Sequence, residues 1–232
     1  SMGTAFYTSN GFLLPETDKT GTDWKYPNKT VLGADAKGYS LLGEAYVQYK
    51  TDGTTFKFGR QKVNSPLIGA DDARMIPTLY ESAELTNTSI KGVKLNLAHT
   101  TGISRGSFAN GYVANLQAAT AGYSANLGGA GQGDFQDIGT NTVGETTKGI
   151  TSVGVTYTGI EGLKAQLWDY YAHNVSNTIY GDISYKMKTG SVTPFVAAQF
   201  IKQSAVGDKL LKNVAYSDGD LQGFYYGLKA GV

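Results

Sequence analysis

Apolar and polar residues alternate with a period of two along most of this chain, and short and long connections alternate between those runs. Few folds satisfy both patterns. In residues 40–50, SLLGEAYVQYK, Leu41, Ala45, Val47 and Tyr49 fall on one face and Glu44, Gln48 and Lys50 on the other. A tight turn, TDGT, leads into residues 54–63, where Phe56 and Phe58 oppose Lys57 and Gln61. Val93, Leu95 and Leu97 then oppose Lys94 and Asn96, and Val153, Val155 and Tyr157 repeat the pattern. Ile179, Ile183 and Tyr185 oppose Tyr180, Asp182 and Lys186, and the last run carries Phe224, Tyr226, Leu228 and Val232 on one face. Strict alternation of this kind predicts half-buried β-strands, and about ten of them can be counted. SIKGVKL at 89–95 and GIEGLKA at 159–165 form a weak repeat, which marks similar hairpins rather than a solenoid.

The connections carry the second pattern. Short turns fall at 51–54, 89–92, 159–162 and 188–191, and long connections at 10–39, 64–81, 102–147 and 204–220, with a medium one at 173–176. In an up-and-down meander all the short turns then lie at one end. That layout predicts an all-β, antiparallel, up-and-down transmembrane β-barrel. No run of 18 apolar residues is present, so no helix is expected to span a bilayer. The aromatics Tyr49, Tyr157, Tyr171, Tyr185 and Tyr226 cluster toward strand ends, as interfacial girdles do. The opposite face carries Glu44, Lys50, Lys57, Glu84, Lys94, Lys164, Asp182, Lys186 and Lys229. Alternation also suits a soluble β-sandwich, a binding module or a surface adhesin; the asymmetry of the connections favours the barrel. In 102–147, Phe108, Tyr112, Val113 and Leu116 recur at helical spacing and predict a short helix.

Composition excludes several functions. With 20 basic and 19 acidic residues the net charge is +1, and no nucleic-acid surface is expected. There is no cysteine, hence no disulfide and no thiolate metal site. The glycine-rich stretch after residue 127 lacks the G-x-G-x-x-G spacing of a dinucleotide site, and SDGD at 217–220 lacks the remaining ligands of a calcium loop. His99 and His173 could serve an outer-membrane hydrolase, but no G-x-S-x-G motif accompanies them. The expectation is a chain that is not an enzyme, with no catalytic residue, metal or cofactor.

The segments GEAYVQYK, FKFGRQKVNSPLIGADDARMIPTLYESAEL and IKGVKLNLAH together resemble OprD-type outer-membrane porins, in particular their ε-proteobacterial branch. The Gly-Arg-Gln strand end, the Asp-Asp-Ala-Arg-Met-Ile-Pro stretch and the Gly-Val-Lys-Leu strand carry the resemblance, which is most specific over residues 42–100. It implies a bacterial outer-membrane channel for passive diffusion of small hydrophilic solutes or ions, such as carboxylates or amino acids, surrounded by outer-membrane lipids and assembled as a homotrimer. It also implies that these strands are part of a barrel of roughly 18. Residues 1–232 then read as a single porin domain, incomplete at both ends. Ser1-Met2 reads as an artificial start and Val232 lacks a terminal aromatic.

In such porins the connection corresponding to 64–81 folds into the lumen. Asp71, Asp72 and Arg74 become the pore constriction, stiffened by Pro66 and Pro77, with opposite charges setting a transverse field. The pore lining implied is Arg60, Lys57, Glu84, Lys94, Lys164, Asp182 and Lys186. Arg60 is the awkward member. It shares the parity of Phe56 and Phe58, so it either snorkels at the membrane interface or is turned inward by a bulge.

Overall fold

The computed structural model describes residues 1–10, 39–70, 76–106, 135–213 and 218–232. The alternating runs fold as strands of one antiparallel sheet. β1 (Met2–Ser9), β2 (Tyr39–Thr51), β3 (Thr54–Gln61), β4 (Leu79–Asn87) and β5 (Val93–Ser104) pair each with the next. A two-residue β6 (Gln136–Asp137) extends the far end of β5 and leads into a single short helix turn, α1 (Ile138–Val143). The meander resumes with β7 (Ile150–Tyr157), β8 (Leu163–Ala172), β9 (Ser176–Lys186), β10 (Phe195–Ala205) and β11 (Gln222–Gly231). The sheet has 11 strands, ten of them in unbroken sequence order, and among the described residues no pairing joins β1 to β11. No helix among the described residues is long and apolar enough to cross a membrane.

The short turns at one end keep their tight geometry through glycines with positive φ, Gly53, Gly92, Gly162 and Gly190. The opposite end holds the long connections. β4 begins three residues earlier than the alternation suggests and β5 runs on to Ser104. With β3 ending at Gln61, the connection between β3 and β4 is 62–78, where the sequence pattern predicts 64–81. The helix expected around Phe108 to Leu116 falls outside the described residues.

The two faces of the sheet differ sharply. One is bare and apolar: Val47, Tyr49, Phe56, Phe58, Leu85, Leu95, Leu97, Val153, Leu167, Ile183, Val196 and Phe200 are all exposed on it. No second sheet packs there among the described residues, which removes the sandwich. An exposed belt of this extent suits lipid rather than water. The β3–β4 connection crosses part of the other, covered face, on which the polar residues Gln61, Ser82, Thr100, Ser152 and Thr178 are buried.

A bulge corrects one assignment. Ala5 pairs with Glu44 but Phe6 pairs with Leu42, so Gly43 is the extra residue. Alternation in β2 reverses there. Leu42, not Leu41, joins Phe6 on the bare face, while Leu41 pairs with Tyr7 and is buried with Ile76 and Leu79. Sequence parity alone places Leu41 with Val47; one inserted residue moves it across the sheet.

Trp168 of β8 lies on the covered face directly opposite Gly154 of β7. A Cβ at Gly154 would meet the indole Cδ2 at 2.4 Å, so the ring rests on bare backbone. Gly154→Val should therefore expel Trp168, lowering unfolding stability by about 1–3 kcal/mol. Urea unfolding followed by indole emission checks this; unaltered emission and midpoint would mean the ring has another seat.

Candidate functional site

The covered face is built around the connection from β3 to β4. Within it, Ser65 N donates to Ile68 O at 2.7 Å and Ala70 N to Asn64 Oδ1 at 3.1 Å, which curl the segment on itself. Thr78 N donates to Ala70 O at 2.7 Å, joining the outgoing and returning arms. Val63 and Ile68 are buried against Tyr80, Ile103, Ile138, Trp168 and Tyr170. Two hydrogen bonds hold the outgoing arm in place. Tyr80 OH donates to Gly69 O at 2.9 Å, and Leu67 N donates to Tyr170 OH at 3.4 Å. Tyr170 belongs to β8, three strand spacings from β4. That is about 15 Å across the sheet, so the connection reaches over the face instead of extending from its end. Asp71, Asp72 and Arg74 lie outside the described residues; their neighbours Ala70 and Ile76 are both buried.

Charged residues of the covered face fall into two groups. Lys57 pairs with Glu84 across β3 and β4, and its Nζ stands 3.8 Å above the Tyr46 ring. Glu44 and Glu84 both act on Lys57, and Lys57 and Lys94 both act on Glu84, so acid and base alternate around the wall. Asp182 of β9 accepts hydrogen bonds from Gln166 Nε2 and, at 2.7 Å, from Tyr180 OH. Trp168 Nε1 donates to the Gln166 carbonyl oxygen at 3.2 Å, extending this network. Lys164 and Lys186 share the face but stand apart, exposed at the short-turn ends of β8 and β9.

Arg60 takes neither a free nor a purely lipid-facing position. Its Nε donates to Glu81 Oε1 at 3.0 Å, its Nη1 to Leu42 O at 3.4 Å, and its guanidinium lies 4.2 Å from the Phe135 ring centroid. No register shift occurs in β3. Instead Gly59 adopts φ 123°, where a Cβ would strike Ala45 O at 2.3 Å. Only glycine fits. The next residue, Gln61, is fully buried and donates from Nε2 to Ser82 O at 2.9 Å. Glu81, Phe135 and Tyr170 went unnoticed in sequence. Nothing local marks them, because their partners are 21, 75 and 103 residues away.

The two histidines meet on the bare face. His99 Nδ1 lies 3.0 Å and His173 Nε2 3.1 Å from Thr151 Oγ1. Their hydroxyl partner is a threonine of β7, and among the described residues no cluster of three or more His, Asp or Glu is placed to hold a metal.

A family model described as "outer membrane porin, OprD family" matches residues 3–218. No curated protein matches the chain. Among solved structures, OpdK from Pseudomonas aeruginosa is similar, with a TM-score of 0.64 and 17% identity over 87% of this chain and 47% of that one. OccD3 (OpdP) from the same organism gives a TM-score of 0.61 and 17% identity over 82% of this chain and 40% of that one. OccK2 (OpdF), solved in complex with glucuronate, gives 0.62 and 16% identity over 86% and 47%. The chain thus spans less than half the length of the structures it matches, and at this identity they speak for the fold.

The Leu67–Tyr170 bond is the longest tether of the connection. Tyr170→Phe keeps the ring and deletes the acceptor. Loss of a hydrogen bond worth about 1 kcal/mol should speed amide exchange at Leu67 about fivefold while the β8 amides stay protected. Hydrogen exchange mass spectrometry over residues 62–70 checks this, and an unchanged rate there would show that apolar packing alone holds the arm.

Proposed function

Because the chain belongs to the OprD family of outer membrane porins, proteins of the bacterial outer membrane, we propose that it builds part of the wall of a channel for passive diffusion of small hydrophilic solutes. One observation carries this reading. The β3–β4 connection is tied across a polar face to Tyr170, while the opposite face is a bare apolar belt. A wall with lipid on one side and water on the other needs that division. A soluble adhesin does not.

In this reading the covered face is the lumen and the connection narrows it. Asp71, Asp72 and Arg74 sit on the segment between the two anchored arms and supply the charged constriction. Lys57, Glu84 and Lys94 form an alternating row along the wall, Arg60 and Glu81 a fixed pair near the long-connection end, and Lys164 and Lys186 a basic mouth at the short-turn end. Opposed charges of this kind orient dipolar solutes. Carboxylates and amino acids are the solute classes that fit, and the glucuronate held by OccK2 is a carboxylate. Among the described residues no strand pairs with the outer edge of β1 or β11, and the chain spans 40% and 47% of the relatives' length. Trimeric assembly and kinship with the ε-proteobacterial branch rest on the sequence resemblance. An enzymatic role finds no support in the shared Thr151 hydroxyl, which lies on the lipid side of the wall.

Planar-bilayer recordings of the full-length protein in a salt gradient test the constriction. Asp71→Asn with Asp72→Asn should move selectivity toward anions, and Arg74→Gln toward cations. Each should change the permeability ratio about two- to fivefold, equal to about 0.4–1 kcal/mol. Reversal potentials identical to wild type in both variants would remove these residues from the pore.

A further inference from the structure

The apolar belt of the bare face is interrupted at one place by groups the channel does not use. His99 shares its face of β5 with Leu95 and Leu97, both exposed. Thr151 of β7 is its register partner, and Tyr171 of β8 is the next across. His173 follows the end of β8, its ring edge-on to Tyr171 with centroids 4.9 Å apart and 6.0 Å from the His99 ring. All of these lie at the long-connection end, where the apolar belt gives way to polar chain.

The hydrogen bonding is protonation-dependent. Both ring nitrogens address the same Thr151 Oγ1, at 3.0 and 3.1 Å. A hydroxyl has one proton to donate. With both imidazoles neutral, one ring accepts it and the other must donate N–H to the oxygen. Each proton taken up adds a positive charge and a further N–H donor to the trio. Among the described residues Lys148 acts on His173 as another cation. The neighbouring acids are engaged elsewhere. Asp169, on the same face of β8, accepts from Asn177 Nδ2 at 2.7 Å, and Glu145 accepts from Asn213 Nδ2 at 2.7 Å. The trio is therefore a cationic spot when protonated, with hydroxyl and N–H donors, on a surface that contacts lipid.

We propose that His99, Thr151 and His173, with Lys148, form a pH-dependent seat for the phosphomonoester group of an anionic membrane-lipid headgroup. The proposal rests on the outer-membrane location and not on the channel reading. The spot sits where the apolar belt ends, which is headgroup depth. A phosphate oxygen accepts N–H bonds from both imidazolium rings, and its charge offsets their repulsion. Burial, with His99 and Lys148 adding repulsion, holds His173 below the ordinary imidazole range. The seat thus gains positive charge at His173 as pH falls. Its affinity for phosphate rises as pH falls through and below that range, and a bound phosphate lifts the titration of both rings.

The test uses the full-length protein in nanodiscs, with the imidazole titrations read by NMR. One set contains phosphatidylcholine alone, a second adds phosphatidic acid, and a third has phosphatidylcholine with inorganic phosphate in solution. We expect phosphatidic acid to raise the His99 and His173 midpoints by about one pH unit, a tenfold change in proton affinity. Thr151→Val should reduce that rise, and folding of each variant is verified by heat-modifiable gel migration. Equal midpoints with and without phosphatidic acid would overturn the proposal. So would an equal rise with inorganic phosphate, which assigns the seat to a free anion, or a full rise in Thr151→Val.

Discussion

Backbone pairing between neighbouring strands carries this structure. Among the described residues no second layer stands behind the sheet on its bare face, so there the ladder carries what packing would otherwise supply. In hydrocarbon an unpaired amide or carbonyl costs several kcal/mol, and water is not there to replace a lost partner. A continuous meander meets that demand with the shortest connections, and ten strands follow each other in order without a crossover. The interruptions fall near the long-connection end: the Gly43 bulge, the second register shift between Glu81 and Ser82, and the left-handed Gly59. There the chain leaves the regular ladder to aim side chains across the covered face.

The meander and its faces were legible because a strand's side-chain period is two and needs no knowledge of its partner. Lys57, Glu84, Lys94, Asp182 and Phe58 could each be assigned a face from parity alone. Leu41 could not, since a bulge is invisible until the register of β1 against β2 is known. The filter reading of Asp71, Asp72 and Arg74 rests on the family resemblance, and the fastenings of the connection were not legible at all. Nothing near Leu67 points to Tyr170, and nothing near Arg60 points to Phe135. Those pairings depend on how the sheet bends and where the connection crosses it. Only the assembled chain holds that information.

The Gly-Arg-Gln strand end shows why such a motif carries a resemblance so far. Its three residues answer three local problems of one turn of chain. Glycine supplies a φ of 123° against a carbonyl that leaves no room for a Cβ. Arginine bridges a carboxylate, a backbone carbonyl and an aromatic ring. Glutamine is fully buried and satisfies Ser82 O. Lysine in place of Arg60 could not span its partners with a planar fork, and any side chain at Gly59 would displace β2.

The tether from Leu67 to Tyr170 also sets an order of events. Most ladders join strands close in sequence, at little loop-closure expense, while β1–β2 and β5–β7 each close a long connection. The tether instead joins residues 103 apart and has no anchor until β5, β7 and β8 stand beside β4. Strands β4, β5, β7 and β8 must therefore stand side by side before this tether forms, whereas the Tyr80–Gly69 bond needs only β4. Pulse-labelled exchange that protected Leu67 before the β7–β8 amides would contradict that order.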